Sequence, residues 1–354
     1  MKNQLIGIVT WFNSANPGTV FQAYALQKYI NGIPQFQAEL INYRYEAAYN
    51  NIIFAHGYGP LSWIIRLLLR YRKYKSSSFQ KKNVIYYPKE MVRRQDLKTI
   101  NDRYDWIILG SDQLWNVGFT DFDKTFFLDF VKGKKKGAYA PSLGKDEWPD
   151  EYKDEIKRYL ADFSFIGVRE KNSVNVVQEL TGIPVHWSLD PTFLLNKEDW
   201  SKIARKVERG DYIFEYSITK NPVIRTAAEK LSKMTGLPII EHGGIRKRVP
   251  TAKRMPHPSA DTWLGYLMGA KYVVTDSFHG CAFSINTNTT FFAIAIGNGA
   301  RIYSILELFG LQDRLLKDGT EIDASKSINW NPVNCILDDR RKECQEWLKN
   351  NLLA

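Results

Sequence analysis

Short runs rich in Ile, Val, Phe and Tyr alternate along this chain with stretches whose apolar residues recur at helical spacing. Such alternation builds βαβ units, and so parallel sheets covered by helices; few other architectures remain open. Strands are expected at Leu5–Thr10, Ala38–Tyr43, Trp106–Leu109, Gly137–Ala140 and Phe163–Val168. Ala23, Leu26 and Ile30 share one face of a helix after Gly18, and Val174, Val177 and Leu180 do the same after Arg169. A short strand at Val185–Trp187 precedes Pro191, which breaks regular structure, and Asn196–Gly210 reads as a short helix and linker. A second series then begins at Tyr212–Tyr216. It continues with a helix around Ile224–Met234, a strand at Pro238–Ile240 and a helix at Asp261–Met268. A strand at Tyr272–Thr275, a helix from Phe278, a strand at Phe291–Ile296 and a charged terminal helix at Asp338–Leu353 complete it. The expected fold is α/β, with two Rossmann-like domains, 1–195 and 196–330, facing a central cleft, and a helical tail over 331–354.

A length of 354 residues suits two domains, and 44% hydrophobic residues let each half bury a core. The longest purely apolar run, Phe291 to Ile296, is far short of the ~20 residues of a spanning helix. The stretch before the first strand is too short for a secretory signal. Cys281, Cys335 and Cys344 are odd in number and form no C-x-x-C pair, so a disulfide framework and a cysteine zinc site lack support and a reducing cytoplasm is expected. The histidines show no metal-ligand spacing, so no metal is expected. The formal charge of +11 calls for an anionic partner, but no nucleic-acid module is present. The apolar and basic stretch Trp63–Lys73 reads first as an excursion helix with a basic outer face; its other reading is a helix lying on an anionic membrane.

Four strand-to-helix junctions carry polar residues suited to chemistry. Trp11–Thr19 includes Asn13 and Gly18 and opens the first helix; helix-first amides favour anions, although Asn-Pro-Gly is also ordinary turn chemistry. Gly110-Ser111-Asp112-Gln113-Leu114-Trp115-Asn116 follows a buried strand. There Asp112 can accept hydrogen bonds or a proton from a sugar diol and Trp115 can stack on a ring; equally, Ser111 or Asp112 can cap a helix with Trp115 in the core. Arg169 stands at a strand end, where its guanidinium can grip a carboxylate or phosphate or simply pair with an acidic neighbour. Thr275-Asp276-Ser277-Phe278-His279-Gly280 is the sharpest junction. Asp276 or Ser277 can cap a helix whose first turn holds His279, a residue suited to phosphate pairing or proton donation, and Gly280 would admit a ligand or the facing domain. His242 is a second-rank cleft candidate, whereas His56, His186 and His257 read as structural.

Taken together, several segments resemble the polysaccharide pyruvyl transferase family. They are the Asn-rich loop with Gly18 and Gln22-Ala23-Tyr24-Ala25-Leu26, Gly110–Asn116, Val168-Arg169-Glu170, Leu189-Asp190-Pro191-Thr192, Thr275–Gly280, and Arg301 before Ile302-Tyr303-Ser304-Ile305-Leu306. The resemblance runs from about Ile6 to Arg314. It implies a glycosyltransferase-B-like pair of domains, with the acceptor on the first, the donor on the second and the site between them. Phosphoenolpyruvate would be the donor, as co-substrate with no further cofactor. A sugar diol would be the acceptor, often on a polyprenyl-diphosphate-linked oligosaccharide at the cytoplasmic membrane face. The product would be a cyclic pyruvate ketal on a capsular, exopolysaccharide or cell-wall glycan. By position, Arg169 and His279 match the family's donor-binding Arg and His, beside Ser277. Some members carry Arg-Leu where this chain has Ser277-Phe278, and Arg301, Arg246 and Arg248 are candidates for the missing charge. The expected roles are His279 as acid or phosphate partner, Arg169, Ser277 and Arg301 on the donor, and Asn13, Gly18, Ser111, Asp112, Gln113 and Trp115 on the acceptor side. Two other readings stand beside this one: a sugar-nucleotide glycosyltransferase of the same architecture, and a non-catalytic glycan-binding relative.

Overall fold

The structure, a computed structural model, describes residues 3–45, 77–207, 211–219, 221–242, 252–255, 258–295, 299–317 and 322–354. The segment Trp63–Lys73, together with His56, Arg246, Arg248 and His257, lies outside the described residues.

Two parallel sheets are present. The first contains β1 (Gln4–Val9), β2 (Phe36–Tyr43), β3 (Tyr86–Val92), β4 (Trp106–Leu109), β5 (Lys135–Tyr139), β6 (Phe165–Val168) and β7 (Val185–Trp187), in the order β3-β2-β1-β4-β5-β6-β7. The second contains β8 (Ile213–Tyr216), β9 (Ile239–His242), β10 (Ala252–Met255), β11 (Tyr272–Thr275) and β12 (Phe291–Ala293), in the order β10-β9-β8-β11-β12. The helices of the first part are α1 (Pro17–Asn31), α2 (Ser78–Asn83), α3 (Leu97–Ile100), α4 (Val117–Thr120), α5 (Asp150–Leu160) and α6 (Lys171–Thr181). Those that follow are α7 (Lys197–Ile203), α8 (Pro222–Thr235), α9 (Ala260–Gly269), α10 (Phe278–Thr287), α11 (Ala300–Leu308) and α12 (Trp330–Leu353). The α/β fold with parallel sheets is the one the alternating pattern implies. The strands β3 and β10 are additions to the expected set, and both lie at sheet edges.

Helix α1 explains why the halves form one body. Asn16 caps it and Pro17 occupies its first turn, where a missing N–H costs nothing. Every residue from Pro17 to Gln27 is buried, because one face covers the first sheet and the other meets α9 and, through Phe21 and Gly18, α10. The Phe21 ring packs on Trp200 at 5.1 Å, on Phe283 at 5.3 Å and on Trp263 at 6.3 Å. Trp200 and Trp263 are fully buried in this shared core.

The terminal helix is longer than expected, starting at Trp330 rather than Asp338, and it is not an appendage. Its buried residues Val333, Leu337, Cys344, Leu348 and Leu352 form one apolar stripe. Trp347 stacks on His186 of β7 at 4.4 Å and meets Phe165 of β6 edge-on at 5.4 Å. Arg341 Nε donates to the Phe193 carbonyl at 2.7 Å, and its Nη2 donates to Asn286 Oδ1 of α10 at 3.0 Å. The helix therefore straps the crossover segment after β7 to the first sheet and to α10 of the second half. Among the described residues, no helix is long and apolar enough to cross a membrane.

Candidate functional site

In each sheet the chain starts near the middle, builds outward, and returns to the other side of its first strand. The reversal falls between β1 and β4 in the first sheet and between β8 and β11 in the second. Connections diverge at such a point and open a crevice at the carboxyl ends of the strands, where open α/β sheets bind ligands. Here the two crevices face each other. Tyr216, at the end of β8, donates its hydroxyl proton to Asn16 Oδ1 across the interface at 3.2 Å.

Four side chains from separate elements meet at the centre. Asp190, in the crossover segment, is 1% exposed. Its Oδ1 accepts from the Thr192 backbone N–H at 3.0 Å and the Thr192 hydroxyl at 2.8 Å. Its Oδ2 accepts from Arg169 Nη1 at 3.0 Å, lies 3.1 Å from the Ser111 hydroxyl, and stands 3.7 Å from His279 Nε2. Burial by itself would raise the Asp190 pKa, but His279 and Arg169 hold it well below the usual carboxylate range. Arg169 is equally buried. Its Nε donates to Glu170 Oε1 at 3.2 Å and its guanidinium carbon lies 4.5 Å from the centre of the Phe278 ring. Desolvation would lower the Arg169 pKa, yet Glu170, Asp190 and Asp112 raise it, so the group is a fixed cation.

His279 is held from both sides. Ser277 caps α10 by accepting from the Gly280 N–H at 3.3 Å, which fixes His279 in the first turn. The ring then lies between Asp190 and the start of α1. A Cβ at Gly18 would come within 2.2 Å of His279 Cγ, so only glycine lets the two helices meet here. Gly18→Ala should therefore destabilise the protein by about 1–3 kcal/mol in denaturant titration, the usual cost of overpacking a filled core. An unchanged midpoint would mean that the imidazole has room to move. Gly280 has a different use from the expected one. A Cβ there would meet the Thr275 hydroxyl at 2.4 Å, so it serves the seating of α10 on β11 rather than a ligand or the facing domain. Nor does Asp276 cap α10. It accepts from the Ile218 N–H at 2.7 Å and the Ser217 hydroxyl at 2.9 Å, holding the loop after β8.

A small cleft, partly open to solvent, adjoins this cluster. Arg169, Glu170, Asp190, Phe278, Arg301 and Ser304 line it over an apolar floor of Leu189, Phe193 and Ile305. Arg301 enters from the first turn of α11 and makes no hydrogen bond or ion pair among the described residues. Burial and the neighbouring Arg169 both lower its pKa. Arg169 Nη2 and Glu170 Oε2 are buried without a partner. His279 stands behind Asp190 rather than in the cavity lining.

On the first-sheet side, Asp112 has a left-handed backbone, φ 84°, stabilised by its carbonyl accepting from Leu114 N–H and Ser142 N–H, both at 2.8 Å. Its Oδ2 accepts from the Thr19 hydroxyl at 2.7 Å and its Oδ1 from the Gln113 N–H at 2.9 Å. Asn13 is exposed and donates to Asn42 Oδ1 at 2.8 Å; Gln113 accepts from Asn116 at 3.0 Å. Trp115 corrects the stacking expectation. It is fully buried, stacks on Phe127 at 6.1 Å, and spends its indole N–H on the Phe126 carbonyl at 2.9 Å, so it offers no face to a ligand. The sequence reading also assigned no role to Asp190. It stood out only within the Leu-Asp-Pro-Thr segment, and nothing in linear spacing tells that one carboxylate is shared by three elements. Among the described residues no group of three or more His, Cys, Asp or Glu side chains is placed to hold a metal ion.

Comparison with known proteins adds three findings. A family profile described as polysaccharide pyruvyl transferase matches residues 16–298. No functionally curated protein matches the chain. Solved structures with a similar fold include the S. aureus MnaA–UDP structure (TM-score 0.51, 10% identity, 98% of this chain and 90% of that one). A UDP-GlcNAc 2-epimerase from Neisseria meningitidis bound to UDP-GlcNAc is similar over the full length of both chains, with TM-score 0.50 and 8% identity. The UDP-GlcNAc 2-epimerase of Methanocaldococcus jannaschii gives TM-score 0.50 and 9% identity over 97% of this chain and 92% of that one. At such identities the likeness establishes the fold, two Rossmann-like halves in a glycosyltransferase-B-like arrangement, and nothing about the ligand.

Proposed function

The chain belongs to the polysaccharide pyruvyl transferase family, and from that premise we propose that it transfers the pyruvyl group of phosphoenolpyruvate to a sugar diol, closing a cyclic ketal on a glycan precursor. The observation that carries this reading is the pair of guanidiniums that line the cleft beside the carboxylates of Glu170 and Asp190. Arg301 is without an acceptor among the described residues, Arg169 leaves one guanidinium nitrogen unpaired, and both face the same space. A small, doubly functional anion completes such a site: its phosphate and carboxylate accept charge-assisted hydrogen bonds from two fixed guanidiniums.

The reaction adds a proton to the methylene carbon of phosphoenolpyruvate, leaving positive charge at the adjacent carbon. One sugar hydroxyl attacks that carbon and loses its proton. The C–O bond to phosphate then breaks, the phosphate leaves with one proton, and the second hydroxyl closes the ring while its proton returns to the acid. His279, paired with Asp190 and set one side chain back from the lining, supplies the proton in this scheme through a water admitted by the open cleft. Arg169 and Arg301 hold the donor with help from Ser277 and the first amides of α10. Asn13, Asp112 and Gln113 present the acceptor from the first-sheet side, with Ser111 and Gly18 shaping the wall. The product belongs to polysaccharide biosynthesis.

Calorimetric titration with phosphoenolpyruvate, beside UDP- and GDP-sugars, tests the reading. Wild-type protein should bind phosphoenolpyruvate. Arg301→Ala should weaken binding by about 10–100-fold, the worth of one charge-assisted contact, without lowering stability, because the arginine has no protein partner to abandon. Binding of a sugar nucleotide alone would replace this reading with a glycosyltransferase.

A further inference from the structure

We propose that Phe119, backed by Trp11, forms an aromatic platform for a second sugar unit of the acceptor glycan, next to the unit that receives the pyruvyl group; the assignment rests on the acceptor being a glycan. Trp11 directly follows β1, in the loop that continues to Asn13 and Asn16. Its ring stacks on Tyr45 at 5.6 Å and meets Phe119 at 5.3 Å and Phe126 at 5.6 Å. Phe119 is 57% exposed, the most exposed large apolar side chain among the described residues. Its outward pose is defined, and that definition has a structural cause.

The backbone supplies that cause. Helix α4 is a single turn, held at its start by the Asn116 carbonyl, which accepts from the Phe119 and Thr120 N–H groups at 2.9 Å each. It ends in two consecutive left-handed residues, Asp121 (φ 49°) and Phe122 (φ 46°). Neither is glycine, so each costs free energy that the surrounding structure must offset. The Tyr45 hydroxyl donates to the Phe119 carbonyl at 3.0 Å and pins the turn from the other side. The ring is thus presented by a braced turn rather than left out by default.

Hydrogen-bonding groups border the rings. A Cβ at Gly118 would make ordinary contact with Lys145 Nζ at 3.7 Å and Asn116 Oδ1 at 3.8 Å, so an ammonium and an amide stand beside the turn. Gln113 stands beside Asn116, joined to it at 3.0 Å. An exposed aromatic edged by amides and an ammonium suits a pyranose, whose C–H face is apolar and whose rim is hydroxyl. The platform is also rigidly tied to the cleft. Gln22 Nε2 donates to the Trp11 carbonyl at 3.0 Å and to the Thr19 carbonyl at 3.0 Å, and the Thr19 hydroxyl in turn donates to Asp112.

The test is a printed array of glycans one to four units long, ending in galactose, glucose, mannose or N-acetylglucosamine, probed with wild type and Phe119→Ala. Phosphoenolpyruvate titration of the same samples reads the donor site separately. Wild type should retain chains of two or more units over single sugars, and Phe119→Ala should lose about tenfold of that retention, the scale of one stacking contact. Equal retention by the variant, or donor binding with no glycan retained, overturns the platform. Glycan retention that depends on Phe119 without donor binding upholds the platform and overturns pyruvyl transfer.

Discussion

His279→Ala should lower the rate of ketal formation by about 10²–10⁴, the usual contribution of a positioned proton donor, while leaving the affinity for phosphoenolpyruvate within a fewfold of wild type. The split follows from the geometry. The donor anion is held by Arg169 and Arg301, which line the cavity, whereas His279 stands behind Asp190 and contributes no lining. Stability should suffer little in comparison. Asp190 keeps its bonds to Arg169, Ser111 and Thr192 when the imidazole is removed, so no bare charge is created. Product appearance by NMR under single-turnover conditions separates the rate from donor affinity. Normal turnover in the variant would end the catalytic assignment and leave His279 as a contact between the sheets.

Asp190→Ala should be the most destabilising single change at the site, costing about 3–5 kcal/mol in denaturant titration at neutral pH. Breaking a buried ion pair is strongly destabilising, and here Arg169 keeps only Glu170 while its Nη1 and the Thr192 hydroxyl lose their acceptor. The same carboxylate predicts a pH response. Its folded pKa is held below the unfolded value, so its contribution is complete above the ordinary carboxylate range and is lost as pH falls through that range toward the lower folded value. Wild type should accordingly lose stability on acidification below about pH 4, and Asp190→Ala should lack that component. A variant as stable as wild type at neutral pH would show that the cluster does not hold the sheets together.

The strands legible in the sequence were those buried on both faces, such as β4 (Trp106–Leu109) and β11 (Tyr272–Thr275), because a continuous apolar run leaves no other use for itself. The strand β3 was not. Its run Tyr86–Val92 contains Pro, Lys and Glu and is mostly exposed, as an edge strand tolerates, so its pattern carries no core signal. At the site, strand-to-helix junctions were readable from polar residues after apolar runs, and Arg169 and His279 do meet there. The misreadings share one cause. Trp115 and Gly280 stand at the right junctions, but whether a position faces the cleft or its own half depends on packing that spacing along the chain does not encode. Asp190 is the converse: a single carboxylate in a crossover, given meaning only by what three other elements bring to it.

The strap formed by α12 also sets the order in which the molecule can be finished. Trp347 covers β6 and β7 of the first sheet, yet it is synthesised after every strand of both sheets. At roughly 5–20 residues per second, the first sheet waits about 10–30 seconds with the faces of Phe165 and His186 bare. The amino-terminal half therefore cannot mature first and independently, as domains commonly do during translation; its last side is closed only when the final helix emerges. Slowing of translation late in the message should lengthen the life of an open, chaperone-accessible first sheet, whereas slowing early should not.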